Sequence, residues 1–393
     1  MSVSLSNLMS KYPSLSLADY THNNEILNFI AKIPMLTEMG GLSFDRNPDF
    51  FALTRAQGEK AFTFLFRNSD QSLAGIGCIS LIPMQVNGES SYLGYTSDLR
   101  LSPQIEQAVR MDFYRFYEEL IHNFQNLSEF NYCQHIFATI FDGNRAARKA
   151  LVEKKNNSQS QLVHRPFFAY DNINVMGRIS GLSKLGKNYK VVKAKSTDEE
   201  QIVSFLTHSH NQQGLIWSEA EIRRRLDICA LSFEDFLLIR DRSGQIAATC
   251  LLMSDQDFRR VKITRMPLAV KVSQLILPLL GQPPVKLKRP LNIGHLCFFK
   301  VRSDSDFSRT KVLSSFLTTL FVQLQNVPRS DRFHTITLQE PQRTGLISTL
   351  RRKGFLCVAL PSTLYQVYHE ENARDDVLLS PCLDRPDFDF VFH

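Results

Sequence analysis

The chain has a single tryptophan, no Cys-x-x-Cys pair and no unbroken apolar run of membrane-spanning length in 393 residues. Each scarcity excludes something. The seven cysteines (Cys78, Cys133, Cys229, Cys250, Cys297, Cys357 and Cys382) are scattered and odd in number. That excludes a disulfide framework or a zinc-ribbon pattern, and predicts a reducing, cytoplasmic setting. A membrane helix needs about twenty apolar residues. The nearest stretch, 266–280, is interrupted by Lys271 and Pro278, so it reads as a buried or lid helix and no integral membrane segment is expected. Residues 1–16 are serine-rich, carry one lysine and lack an apolar centre, which excludes a signal peptide. Zinc-finger spacing, an RNA-binding aromatic signature and a long basic tail are also missing, so nucleic acid is not an expected partner.

What is present is core-forming material. Hydrophobic residues are 43% and charged residues 22%, and 29 phenylalanines accompany the lone tryptophan. Phenylalanine in that excess fills cores rather than stacking surfaces. A chain this long exceeds one ordinary core, so two domains are expected. The net charge of +7 favours anionic partners such as phosphate-bearing small molecules or an acidic protein. The runs Arg223-Arg224-Arg225 and Arg351-Arg352-Lys353 read as solvated helix faces.

The pattern of elements repeats. In the first half, 15–18 is a strand and 24–33 a helix, and Asn47-Pro48 reads as a helix start. Segments 61–67 and 75–84 pair around Asn68-Ser69-Asp70, and 92–101 alternates as a central strand. Ser102-Pro103 reads as the start of a helix whose apolar face is Ile105, Val109, Phe113, Phe116, Leu120 and Phe124. A strand at 133–140, a short helix at 144–152 and closing strands at 167–170 and 173–177 follow. The second half gives a strand at 189–194 and helices behind the boxes Thr197-x-x-Glu200 and Ser218-x-x-Glu221. Next come a hairpin at 236–240 and 246–253, an insertion at 254–290 and a strand at 291–301. A helix with Val312, Phe316, Leu320 and Leu324 on one face is followed by a strand at 334–338, a helix at 344–352 and closing strands at 355–360 and 364–368. The domains therefore read as 1–179 and 189–393, with a linker at 180–188. The fold class is α/β: two tandem units, each a mixed, mostly antiparallel twisted sheet with helices on both faces.

At 92–103 the run Tyr-Leu-Gly-Tyr-Thr-Ser-Asp-Leu-Arg-Leu-Ser-Pro resembles the central-strand motif of the GNAT superfamily of N-acetyltransferases. Asn47-Pro48-Asp49-Phe50-Phe51, Gly58, Val86-Asn87-Gly88 and Asp255-Gln256-Asp257-Phe258-Arg259-Arg260 resemble an uncharacterised bacterial tandem subgroup. Lys353-Gly354-Phe355 resembles the superfamily's Gly-Phe ending. The resemblance implies a central strand splayed from its neighbour, with the pantetheine arm of acetyl-CoA or another acyl-CoA against its backbone. Leu99 and Leu101 hold that place in the first half, and Phe299 and Val301 in the second. It also implies a pyrophosphate at the next helix N-terminus, where free N–H groups favour an anion, and an amine acceptor, a small molecule or a peptide, attacking the thioester.

The sequence departs from that pattern in both halves. The glycine-rich pyrophosphate loop is replaced by Gln104-Ile105-Glu106-Gln107-Ala108-Val109-Arg110 and by Asp306-Phe307-Ser308-Arg309-Thr310-Lys311. In the second, Ser308, Arg309, Thr310 and Lys311 offer hydroxyls and charge for a phosphate; the alternative is a helix cap with solvated cations. The superfamily's frequent asparagine matches Asn144 and falls near Arg343 in the second half. Its tyrosine acid falls on Leu350, and near Leu151 in the first half. For the catalytic base the first half offers Asp98, or Asp98 is an ion-paired carboxylate beside Arg100. The second offers His295, or His295 is a core histidine. Cys297 reads as a buried apolar cysteine, and His208-x-His210, without a third ligand, as a polar helix end, so no metal is expected. The insertion, basic at Lys262, Arg265, Lys286, Lys288 and Arg289, covers the interface between the halves, lids a pocket, or docks on a membrane or an acyl carrier protein. The expected activity is N-acyl transfer. The alternatives are a catalytically degenerate binding protein and an acyl carrier protein-dependent acyltransferase.

Overall fold

A computed structural model describes residues 4–33, 35–37, 40–86, 88–131, 133–153, 161–179, 189–208, 215–265, 283–302, 307–328, 331–342 and 344–373. In chain order the first half contains α1 (Leu5–Met9), β1 (Leu15–Leu17), α2 (Asn23–Lys32), β2 (Met35–Thr37), β3 (Gly40–Asp45), α3 (Phe51–Gln57), β4 (Lys60–Arg67), β5 (Leu73–Val86), β6 (Glu89–Leu101), α4 (Gln107–Asn123), β7 (His135–Phe141), α5 (Arg145–Ala147) and β8 (Leu162–Arg178). The second contains β9 (Val191–Lys193), α6 (Glu199–Thr207), β10 (Leu215–Trp217), α7 (Glu219–Ile228), β11 (Leu237–Arg240), β12 (Ile246–Ser254), β13 (Arg260–Arg265), β14 (Ile293–Val301), α8 (Arg309–Gln325), β15 (Thr335–Pro341), α9 (Leu346–Arg352) and β16 (Phe355–His369). The repeat read from the sequence is real: strand, helices, three strands, helix, strand, helix, long strand.

The halves are not closed separately. The main sheet runs β1-β4-β5-β6-β7-β16-β8-β15-β14-β12-β11-β9. This order is a palindrome in which every strand of one half mirrors its counterpart in the other. At its centre the last strands have changed places. Residues 362–367 of β16 pair with 136–141 of β7, and 170–175 of β8 pair with 336–341 of β15. β8 and β16 then pair antiparallel along their length, from Phe355 opposite Arg178 to His369 opposite Leu162. The closing strands expected separately at 167–170 and 173–177, and at 355–360 and 364–368, are therefore single long strands. Asp171-Asn172 and Pro361 look like turn residues locally, but each strand has partners on both sides across the swap, and the ladder overrides the local preference.

Several expected helix starts move. Pro48 lies outside α3; Asp49 Oδ1 accepts from the Phe51 N–H, and Asn23 Oδ1 accepts from the Phe50 N–H (both 2.8 Å). Ser102 makes a turn, its Oγ accepting from the Gln104 N–H, and α4 begins only at Gln107. Before α6 the donor satisfied is the Lys195 N–H, by Asp198, rather than one at Thr197. Ser218 does cap α7, accepting from the Glu221 N–H at 3.1 Å. Glu221 does not complete the box, because it is fully buried between Arg224 and Arg225. The run is thus solvated at Arg223 and not at Arg225, which is 1% exposed and lies over Trp217 at 4.7 Å.

Both amphipathic helices bury the faces their spacing predicted: Val109, Phe113, Phe116 and Leu120 in α4, and Val312, Phe316, Leu320 and Leu324 in α8. Each such side chain contributes about 1.5–3 kcal/mol of burial. A further core joins the halves, bringing Tyr95, Phe137 and Tyr170 together with Trp217, Met253, Cys297 and Phe298. Two connections absent from the sequence reading tighten the joint. β10 adds to the edge of β5, and β13, from the insertion, pairs with β3. Lys262 of β13 bonds Asp45 at 2.6 Å, so the described part of the insertion does cover the interface. The linker 180–188, the apolar stretch 266–280, Asp306, Arg343, His210 and Cys382 lie outside the described residues. No helix among the described residues is long and apolar enough to cross a membrane.

Candidate functional site

The two central strands part from their neighbours at matching places. β6 pairs in parallel with β7 from Leu93 to Thr96, and β14 with β15 from Ile293 to His295. Beyond these points the strands diverge, and each central strand bulges. The bulges fall opposite the step Ile76/Cys78 in β5 and Thr249/Leu251 in β12. Each holds one residue in the left-handed region, Asp98 at φ 52° and Phe298 at φ 50°. The two sites stand two hundred positions apart, the same spacing as the strands. Such a conformation costs a non-glycine residue about 1–3 kcal/mol and persists only where its surroundings enforce it. At Phe298 the enforcement is visible: its ring packs on Trp217 (4.6 Å) and Phe236 (5.5 Å), and its carbonyl accepts from Thr249 Oγ1 at 2.9 Å. A bulge leaves backbone groups outside the ladder.

Around the first bulge the chemistry is structural. Asp98 is buried and ion-paired with Arg46 (2.7 Å) and Arg100 (3.7 Å). Arg100 also donates to the Ile33 carbonyl. A carboxylate committed to two guanidiniums is not available as a base, so the ion-paired alternative holds for Asp98. Leu99 and Leu101 turn their side chains into the first-half core. Gly77, opposite this bulge, has no room for a side chain, since a Cβ there would stand 1.8 Å from the Tyr117 hydroxyl. Glu106 does not face a helix-end ligand site; its carboxylate accepts from the Ser69 N–H and hydroxyl.

The second bulge has a different setting. His295 lies three residues before Phe298 with Nε2 3.1 Å from Asp255 Oδ2, and Arg259 Nε bonds the same carboxylate at 2.7 Å. Burial opposes ionisation of Asp255, but His295 and Arg259 outweigh it and hold the carboxyl well below the usual range. Cys297, expected to be a buried apolar thiol, is 1% exposed with Sγ 3.3 Å from the His295 carbonyl. Beyond the bulge, Phe299 is buried and Val301 half-buried.

The N-terminus of α8 overhangs this splay. Ser308 stands exposed at the cap position without capping the helix. Arg309 is not a free phosphate ligand. Its guanidinium forks onto Glu340 of β15 (Nη2–Oε1 2.8 Å, Nε–Oε2 3.0 Å) and lies 4.6 Å over the Phe299 ring. Thr310 is half-buried and Lys311 exposed. Lys311 has cationic company: burial, then Lys311 and Arg178, push the Lys353 ammonium below its ordinary value. Glu340 is 1% exposed while Arg309 is 35% exposed. Removing the arginine takes its fork away from a buried carboxylate, so Arg309→Ala is expected to cost about 2 kcal/mol, the usual penalty discounted for the exposed partner. Urea unfolding checks this.

Other residues singled out earlier have local duties. Asn144 caps α5 by accepting from the Ala147 N–H at 3.2 Å. His208 Nδ1 contacts the Ser204 carbonyl at 2.8 Å, as a helix end does. Leu350, where a proton donor stands in the resemblance, is wholly buried in the core. Asp255, Arg259 and Glu340 were missed as site residues. The cluster 255–260 was visible only as part of a resemblance, and nothing local marks Glu340, a lone acid at a strand end.

No protein-family model matches the chain, and no curated protein matches its sequence. Similarity appears among solved structures. Saccharomyces cerevisiae N-myristoyltransferase with bound myristoyl-CoA is 13% identical over 96% of this chain and 89% of that one, with a TM-score of 0.49. A protein of unknown function from Enterococcus faecalis V583, described as a probable N-acyltransferase, is 7% identical over 91% of this chain and 73% of that one, with a TM-score of 0.47. The GCN5-related glucosamine N-acetyltransferase region of a fungal multi-domain GH3 β-N-acetylglucosaminidase reaches a TM-score of 0.53 at 11% identity, over 90% of this chain and 38% of that one. With the paired splays and bulges, this last likeness establishes the fold: the chain is built from two GNAT-type units joined in one sheet.

Proposed function

We propose that the protein is an N-acyltransferase that draws an acyl group from acyl-CoA and binds it in the second half, between β14 and β15. The observation that carries this reading is the second bulge. An apolar cradle there forces Phe298 into the left-handed region, and His295 stands on the same strand. A backbone N–H freed by such a bulge suits a thioester carbonyl, because a fixed donor stabilises the charge that develops when the amine attacks. The cofactor's pantetheine amides would pair along 299–301, as a missing strand would. Lys311, with Arg178 and Lys353 close by, would supply charge for the phosphates, and the uncapped N-terminus of α8 would supply N–H donors.

His295 would take the proton of the attacking amine. Asp255, ionised and fixed by Arg259, would orient the ring and stabilise its charged form. With leucine at position 350, the departing thiolate would draw its proton from water or from the protonated His295. The first half would act as a scaffold, its bulge locked by the Arg46–Asp98–Arg100 cluster.

One observation favours a second reading, a binding protein without turnover: the Arg309–Glu340 fork commits the helix-end arginine to the protein itself. Calorimetric titration with acetyl-CoA separates the possibilities. The wild-type chain is expected to bind one equivalent, and Lys311→Ala to bind roughly tenfold more weakly, the value of one charged contact. Absence of binding by a folded chain ends the acyl-CoA reading. Binding without acyl transfer to any amine in a broad acceptor screen favours the second reading.

A further inference from the structure

The strand swap carries the end of the second half to the end of the first half's long helix. His122 lies in the last turn of α4, His369 ends β16, and Glu371 follows in the single 3₁₀ turn Glu370–Asn372. One ligand atom from each of these three side chains lies within 4.8 Å of the others. The two imidazoles meet edge to face with centroids 4.3 Å apart, and His122 Nδ1 stands 3.8 Å from Glu371 Oε2. Two features set the group apart from a chance surface pair. His122 Nδ1 is buried and has no hydrogen-bond partner among the described residues, which is costly unless something satisfies it. His369 is 5% exposed, its ring held against that of His122 at the edge of the cleft. A cleft of 320 Å³ opens beside the group, and Glu118 is among its lining residues.

We propose that His122, His369 and Glu371 bind a divalent ion of the zinc type. Two imidazoles and a carboxylate are borderline donors, suited to zinc and poorly suited to calcium or magnesium. Metal–ligand bonds of about 2.0–2.2 Å require the three atoms to close to roughly 3.3 Å. Glu371, at 64% exposure, has the freedom to make most of that movement. His369 Nδ1 now accepts from the Glu371 N–H at 3.3 Å. That long bond is given up whichever nitrogen binds: the ion takes Nδ1 itself, or the ring takes its other tautomer, with the proton on Nδ1, and offers Nε2. The fourth position faces the cleft, where water or Glu118 completes the shell. One ligand comes from the first half and two from the second, so the ion pins the exchanged strand to the helix it lies against. Nothing local marks the group, because His122 stands 247 positions before His369 and meets it and Glu371 only through the swap.

The test uses the full chain, stripped with a chelator and titrated with zinc chloride. One equivalent is expected to bind, with His122→Asn and Glu371→Gln each weakening it by at least tenfold, and added zinc is expected to raise the thermal midpoint of the wild type but of neither variant. Glu371 is a surface residue, so Glu371→Gln retains the fold, and its metal-free midpoint verifies that. No binding by the wild-type chain overturns the proposal. So does binding of equal strength in wild type and both variants, which would place the ion elsewhere.

Discussion

Expressed alone, residues 1–179 will fail to fold, and so will residues 189–393; produced together, they will assemble one to one. The sheet order requires this. Without β15 and β16, the first half leaves one side of β7 open at 136–141 and β8 with neither of its partner strands. Without β8, the second half leaves 336–341 of β15 open. Long apolar edges of this kind aggregate. Each half also loses its share of the common core, in which Trp217 and Phe298 of the second half cluster with Tyr95 and Tyr170 of the first. Several large side chains at about 1.5–3 kcal/mol each exceed the 5–15 kcal/mol that keeps a domain folded. Thermal unfolding followed by circular dichroism decides the matter. A cooperative transition from either half alone would contradict the swapped arrangement.

The second large effect separates the two residues that the sequence offered as a base. His295→Asn is expected to lower the acyl-transfer rate by roughly 10²–10⁴, the usual worth of a positioned proton acceptor. It should do so with little change in stability, because Asp255 keeps Arg259. Asp98→Asn should do the reverse. It leaves the buried Arg46 and Arg100 without a counter-charge, at about 3–5 kcal/mol, while the rate per folded molecule stays near that of the wild type. Asparagine tolerates the left-handed backbone at 98, so the loss reports on charge rather than strain. Rates and denaturant midpoints measured on both variants give the pair of numbers. A rate loss confined to Asp98→Asn would move the active centre to the first half.

Much of the fold was legible because it is written locally. Apolar residues three and four apart marked α4 and α8, and Asp241-Arg242-Ser243-Gly244 marked the β11–β12 hairpin. The swap was not legible. Pairing β8 with β15 rather than with a strand of its own half depends on contacts across more than 160 positions, and Asp171-Asn172 and Pro361 each imitate a turn. Pro166 sits opposite Tyr365, where the register slips, a place where a strand tolerates proline. The site was half legible. Position along the central strand picked out His295 and Asp98, but their roles are set by partners brought in from afar. Asp255 and Arg259 come from the insertion, and Arg46 comes from a loop fifty residues upstream. Arg309 looked like a phosphate ligand because Glu340 is invisible as its partner until β15 is placed beside α8. Arg225 looked solvated because nothing local announces Trp217 above it.

Amide hydrogen exchange on the full chain, with and without acetyl-CoA, tests the central claim most directly. Residues 296–301 and the first turn of α8 should gain protection when the cofactor is added, while 97–101 and the start of α4 should not change. Protection confined to 97–101, or no change anywhere at saturating acetyl-CoA, would contradict an acyl-CoA site in the second half.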